Sequence, residues 1–364
     1  MKKPISLIVL ILIVFTGCIH NNTPSSPDNS KTWKYLGSAG FSQSYNILDV
    51  YLGTPYISCL YDTIDPGTGN PIVNAYVQKF ENGAWTDVGN RGFKQGSNFY
   101  GMKVVGGIIY AVFKDEVMKY EAGVWSTQGP GPDTVIPTVA PPATMNMWFG
   151  ITKWPNIYEY CIDDSYYSAS AIIKYDGVNW TNIGTPYTPA VLLTDHVSIR
   201  MAEENGILYT VYNDIITHTA YVSKYEGGIW TQICSLDITN SYVESFCVYN
   251  STPFVSLNEN QSKLSVLGYS SGTWYKLLDK KTFNHLYFSL LSIDNGKLYC
   301  FYSGDSDKFS AMKYIGTSWV DIGQKDFSDR IGETTISAAV YDDVPYVFYG
   351  DVDAGLNNSI MRYE

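Results

Sequence analysis

The sequence predicts an all-β fold: a seven-bladed β-propeller with four antiparallel strands per blade, the last blade closed by a strand from the N-terminal end. Three observations carry that expectation. A phrase built around Lys-Tyr, an acidic residue or glycine, and a Trp recurs along the chain. Aromatic residues make up 15% of the 364 residues and charged residues only 16%, a balance that suits pleated, half-buried strands. Finally, each end of the chain carries half of the phrase that the interior completes.

The phrase reads "VQKFENGAWTDVG", "VMKYEAGVWSTQG", "IIKYDGVNWTNIG", "VSKYEGGIWTQIC", "VLGYSSGTWYKLL" and "AMKYIGTSWVDIG". Its Trp residues are Trp85, Trp125, Trp180, Trp230, Trp274 and Trp319, spaced 40 to 55 residues apart. That period fits a four-stranded blade and is too long for a leucine-rich or ankyrin unit. Each phrase predicts a hairpin. Its incoming strand alternates, with Val222, Lys224 and Glu226 on one face and Ser223 and Tyr225 on the other. The Asn-Gly, Asp-Gly and Glu-Gly pairs tolerate the positive φ of a short turn. The Trp then opens a brief outgoing strand, often closed by Gly.

Two strands precede each phrase. "NGILYTVYND", "NGKLYCFYSGD" and "DVPYVFYGD" predict a Tyr-rich second strand, with looser counterparts in "GGIIYAVFKD" and "STPFVSLNE". The short runs "SIRMA", "LLSI" and "SAAVY" predict an apolar first strand. No stretch sustains a helical period, which excludes α/β alternation.

A seventh unit is split. Residues 336–351 supply its first two strands and "SIMRYE" its third, while the fourth is found in "SKTWKYLG", residues 30–37. There Trp33 and Gly37 repeat the W-x-x-x-G spacing of Trp85 to Gly89 and Trp319 to Gly323. Pairing the two ends closes a ring that would otherwise expose two unpaired sheet edges. The third unit is the irregular one, because "PGPGPDTVIPTVAPP" interrupts it.

The segment before the repeats follows other rules. "MKKP" is a positive start, Ile5 to Phe15 is almost entirely apolar, and "FTGC" is followed by a polar stretch. Residues 1–17 therefore read as a signal peptide, 18–29 as a Ser/Pro/Asn-rich tether and 30–364 as the propeller. Thr-Gly-Cys resembles a bacterial lipobox, which implies that Cys18 is lipidated; Phe15 stands where that pattern more often has Leu. The protein is then exported and held on a bacterial envelope by its lipid. The membrane is the outer membrane, or the outer leaflet of the plasma membrane in a Gram-positive cell. No later segment is apolar for the 18 residues that a membrane helix needs. Cys59, Cys161, Cys234, Cys247 and Cys300 are an odd set without CxxC spacing, which reads as buried filler rather than a disulfide framework or zinc site.

A net charge of −11 argues against a nucleic-acid partner, and a monomer is expected. His20, His196, His218 and His285 have no metal or hydrolase spacing, and G-x-S-x-G, the P-loop and G-x-G-x-x-G are absent. "YDGVNW" is similar to the Asp-box of sialidases but lacks its Ser. Only Arg91, Arg200, Arg330 and Arg362 are available for an arginine triad. Fold alone confers no chemistry, so an enzyme is not the expected reading.

Acids follow the second strand of every unit: Asp62 and Asp65, Asp115 and Glu116, Asp163 and Asp164, Asp214, Glu259, Asp305 and Asp307, Asp351 and Asp353. In a propeller these loops share a face with the linkers between blades, so they would make a negative rim. Such a rim could attract a basic partner, or bind Ca²⁺ through the pairs Asp305/Asp307 and Asp351/Asp353. Asp and Asn also simply suit turns. The recurring Trp residues, each beside a Tyr, read as packing between blades. The aromatics outside the repeat, Trp148, Trp154, Tyr166 and Tyr167, are candidate ligand contacts. No cofactor beyond that Ca²⁺ is expected.

With Tyr on the third strand and Trp on the fourth, residues 30–364 resemble the kelch-like and galactose-oxidase-type propellers. They are closer still to short Lys-Tyr-x-Gly-x-x-Trp repeats of exported bacterial proteins. Kelch blades carry a Gly-Gly pair after the second strand, where this chain has Asn213-Asp214 or Gly350-Asp351. Together these readings predict an envelope-anchored binding or scaffolding module for a glycan or protein ligand. The alternatives are a sialidase- or glycosidase-like enzyme, or an assembly subunit of an envelope complex.

Overall fold

The computed structural model describes residues 30–40, 47–95, 99–132, 146–153, 156–162, 170–184, 199–214 and 216–364, with backbone alone at 146–153, 156–162, 170–171 and 333–335. Among them the secondary structure is strand, with no α-helix and hence no helix long and apolar enough to cross a membrane. The strands form seven antiparallel sheets, each of four strands in chain order from first to fourth. A fifth strand, Lys94–Gln95, is added to the first sheet.

The exception to chain order is the last sheet, where Trp33–Tyr35 pairs with Asn357–Tyr363. Trp33 lies opposite Tyr363 and Tyr35 opposite Met361, so the split unit assembles as the sequence predicts. Thr32 N–H donates to the Glu364 carbonyl (2.8 Å) and Glu364 N–H returns a bond to Thr32 (3.0 Å).

The first strands of the sheets are Leu48–Tyr51, Phe99–Val105, Asn146–Lys153, Ile199–Glu204, Ser241–Tyr249, Phe288–Asp294 and Ile331–Tyr341. Each touches the first strand of the sheets on either side, and Ile331–Tyr341 touches Leu48–Tyr51, so the contacts close into a cycle. The core therefore consists of slabs between neighbouring sheets rather than one central mass. Tyr299 and Phe301 of the sixth sheet pack on Val347 and Tyr349 of the seventh, while Ile57 and Cys59 of the first pack on Tyr346 and Phe348.

This packing explains a departure from the sequence reading. Val222 and Ser223 are both buried, and the register shifts between them, so the expected two-faced alternation is not clean. A sheet clamped between two others is covered on both sides and has no solvent face. The Tyr-rich second strands show the same: Val344–Asp351 is buried from Pro345 to its end.

The Trp residues couple the sheets. Each indole Nε1–H donates to a backbone carbonyl at or just past the fourth strand of the preceding sheet. Trp85 reaches Leu36, Trp125 Val88, Trp180 Pro130, Trp230 Ile183, Trp274 Ser235, Trp319 Leu277 and Trp33 Ile322, all at 2.8–3.0 Å. Seven donors thus visit seven sheets and return to the start, and Trp33, from the far end of the chain, behaves like the rest. Each Trp also tilts against the aromatic residue opposite it on the third strand, at 5.1–5.5 Å between ring centroids. The closing glycine of the phrase has a specific cause. Gly89 has φ +71°, and a Cβ there would lie 2.8 Å from the Tyr120 ring and 3.0 Å from that of Trp125. Only glycine both takes the left-handed backbone and lets the next sheet's Trp approach so closely.

Candidate functional site at the mouth of the ring

In this strand order, the loops between second and third strands share one end of the ring with the linkers between sheets. Backbone bonds lace the two sets together: Ile238 N–H to His218, Leu286 to Gln261 and Ile331 to Asp307, at 2.7–2.8 Å. On this end a cavity of about 320 Å³ opens where the first strands of the fifth, sixth and seventh sheets begin. The linker His285-Leu286-Tyr287 and Phe288 form one wall, and Ile331, Gly332 and Ile336 continue it on the seventh sheet. Tyr242, Gln261, Ser303 and Asp307 supply the polar part of the lining.

Each lining group is positioned by a neighbour. Asp305 accepts the N–H groups of Asn284 (2.5 Å) and His285 (3.0 Å), which fixes the linker. His285 then meets the Tyr287 ring edge-on at 4.2 Å. Tyr287 and Tyr242 remain 45% and 39% exposed, so aromatic surface is available to a ligand. Beside the cavity the register shifts between Val243 and Ser245, leaving Glu244 as a bulge. A bulge re-aims a side chain, and here the Glu244 carboxylate accepts hydrogen bonds from Ser289 (2.7 Å), Asn258 (2.9 Å) and the Tyr242 hydroxyl (3.2 Å). Burial pushes the Glu244 carboxyl above its ordinary range and also raises the Tyr242 phenol. Arg200 Nε donates to the Glu244 backbone carbonyl (2.8 Å), and burial lowers its guanidinium.

Two polar atoms of the lining residues are shut off from solvent without a hydrogen-bond partner: Ser303 Oγ and Asp307 Oδ1. Ser303 as a whole is only 1% exposed. A buried, unpaired polar group costs about 1–3 kcal/mol.

The acids expected along a rim are divided among other tasks. Asp65 accepts the Gly67 and Thr68 N–H groups. Asp115 and Glu116 pair with Lys94 at 2.7 and 2.5 Å. Glu259 accepts the Ser265 hydroxyl, and Asp353 holds Arg330. Asp214 and Asp351 are not on an exposed rim: they are 3% and 0% exposed and cap their own loops through Ile216, Thr217 and Ala354 N–H groups. Their carboxylates turn the chain where it leaves the second strand, the role that Asp commonly takes in turns. Among the described residues no three His, Cys, Asp or Glu side chains gather as a metal ion would require. In the pairs proposed for Ca²⁺ the carboxylates of Asp305, Asp351 and Asp353 have separate partners within the protein, and Asp307 Oδ1 has none.

Cys18, Trp154, Asp163, Asp164, Tyr166 and Tyr167 lie outside the described residues, and Trp148 is described by its backbone, opposite Tyr160. No disulfide joins Cys59, Cys234, Cys247 or Cys300; Cys59, Cys234 and Cys300 are buried, as filler residues should be. Of the acids singled out in the sequence, Asp307 lines the cavity and Asp305 holds its linker. Tyr242, His285, Tyr287 and Ser303 were not singled out. For His285 and Tyr287 the one signal is "FNHLYF", a linker that departs from the repeat by placing a His among aromatics.

No protein-family model matches the chain, and no curated protein matches it in sequence. Solved structures do. A puromycin-hydrolyzing peptidase of Mycobacterium tuberculosis aligns with a TM-score of 0.55 and 10% identity over 86% of this chain and 51% of that one. A prolyl endopeptidase aligns with a TM-score of 0.51 and 11% identity over 87% of this chain and 49% of that one. The chain thus spans about half the length of these two enzymes. A six-bladed β-propeller lectin of Aleuria aurantia aligns with a TM-score of 0.46 and 12% identity, over 73% and 91%. At such identities the likeness concerns fold. Four-stranded antiparallel sheets whose first strands close a cycle define the class: the chain is a β-propeller.

Proposed function

We propose that this protein is a seven-bladed, kelch-like propeller, lipid-anchored through Cys18 to a bacterial envelope, that binds a carbohydrate in the mouth cavity. The observation that carries the binding reading is that exposed Tyr242 and Tyr287 line one cavity together with the polar residues Gln261, Ser303 and Asp307. Sugars are amphipathic in the same way, with C–H faces for aromatic rings and hydroxyls for polar atoms. A mostly apolar concavity with a few convergent polar groups is the usual form of a small-molecule site. Seven first strands in one cycle and seven Trp bonds around it support the blade count. The basic, apolar and Thr-Gly-Cys succession of residues 1–18 supports export and anchoring. The binding proposed needs no metal.

The test is a glycan array followed by calorimetry on the best ligand. Tyr287→Ala should weaken binding about tenfold or more, equivalent to about 1.4 kcal/mol, without shifting the melting temperature. If no saccharide is retained, or if Tyr287→Ala binds like the parent, the reading fails. Separately, Cys18→Ala should move the protein from the membrane fraction to the soluble fraction; retention on the membrane would refute the anchor.

A further inference from the structure

We infer that the sugar accepted by the cavity offers hydrogen-bond donors, hydroxyls or an amine, and that carboxylated sugars are rejected; this rests on the carbohydrate reading above. The carboxylate in the cavity's lining is Asp307, and a second one, Glu244, accepts the Tyr242 hydroxyl. Among the described residues no Lys or Arg lines the cavity.

Two arginines near these residues are committed elsewhere. Arg330, whose guanidinium senses Asp307, is bound to Asp353 through Nε (2.9 Å) and Nη2 (2.7 Å). Arg200 spends Nε on the Glu244 carbonyl and Nη1 on the Ile199 carbonyl. A sugar carboxylate entering here would lose its hydration, meet Asp307 and find no counter-charge, and like charges brought together in a desolvated site repel strongly. A hydroxyl or ammonium group would instead satisfy Asp307. The net charge of −11 adds to the same bias at longer range. In the same lining, Phe288, Ile331 and Ile336 suit the C–H face of an uncharged ring.

The experiment is calorimetric titration of the full chain with matched hexoses, 2-amino-2-deoxyhexoses, hexuronic acids and sialic acid. Hexoses or amino sugars should bind at least tenfold more tightly than any carboxylated sugar. Asp307→Asn should shrink that ratio at least threefold. Residue 307 has φ +56°, a left-handed conformation that Asn tolerates as Asp does, so this variant keeps the loop.

Equal or tighter binding of carboxylated sugars overturns the inference and leaves the carbohydrate reading standing. So does an unchanged ratio in Asp307→Asn. Failure of every saccharide to bind overturns both.

Discussion

Deleting residues 31–37 removes the strand that closes the ring, and its cost follows from what that strand touches. Leu36 is 2% exposed, and removing a buried Leu side chain costs about 2–5 kcal/mol. Trp33 is half-buried, with its ring parallel to Phe327 at 3.7 Å; its loss falls at the low end for Trp, about 3 kcal/mol. Two indole bonds also go, Trp33 to Ile322 and Trp85 to Leu36, at about 1 kcal/mol each. The total, about 7–10 kcal/mol, rivals the whole stability of an ordinary domain, about 5–15 kcal/mol. Equilibrium urea unfolding followed by Trp fluorescence should show the midpoint collapsing or the cooperative transition disappearing. Lys34→Ala is the control. Its side chain is 58% exposed and its ion pair with Glu364 spans 3.7 Å, so it should change stability by about 0.5 kcal/mol or less. If the truncated protein unfolds at the same urea concentration as the parent and the control, the closure argument is refuted.

Other outcomes follow from the same geometry. Gly89→Ala meets both a left-handed φ and the Tyr120 and Trp125 rings, and should destabilise by about 2–4 kcal/mol. Gly83→Ala, with φ +82° but open space around it, should cost only about 1–2 kcal/mol. Equal midpoints for the two variants would show that the rings yield. Glu244 has a folded-state carboxyl raised by burial, so in the window from its ordinary range up to the raised value the folded chain binds more protons than the unfolded one. Its contribution to stability therefore falls as pH rises through that window. Asp87, lowered by its bond to Arg91, acts with the opposite sign and loses stability as pH falls. The difference in urea midpoint between parent and Glu244→Gln should accordingly change in favour of the variant as pH rises. A difference independent of pH would refute the assignment.

The architecture was legible in the sequence because its cause repeats. Every sheet needs a Trp to reach the sheet before it and a residue that lets the next Trp approach, so W-x-x-x-G survives at Trp33, Trp85, Trp125, Trp180 and Trp319. Turn chemistry was half legible. Acids after the second strand were visible, but whether each faces ligand or its own loop depends on a local fold the repeat does not encode, and Asp214 and Asp351 turned inward. The cavity was least legible. It joins a linker at His285, a loop at Asp307 and a first strand at Tyr242, which are distant in sequence and belong to no shared motif. The Glu244 bulge also breaks the strand period that sequence patterns rely on.

The mutual bonds between Thr32 and Glu364 make the polypeptide a circle in all but covalent terms. Where such a circle is cut is then a matter of genetic encoding rather than of architecture. A permutant that joins Glu364 to Lys31 through a short linker and opens at another inter-sheet linker keeps every strand partner. It would carry its new start at a sheet boundary, and whatever is fused there would be relocated around the circumference without disturbing the mouth. In the natural order, that point of attachment is the seam strand itself. A pull on the chain ahead of Ser30 is delivered first to the residues that hold the circle shut, so mechanical load and ring closure meet in one three-residue strand, Trp33–Tyr35.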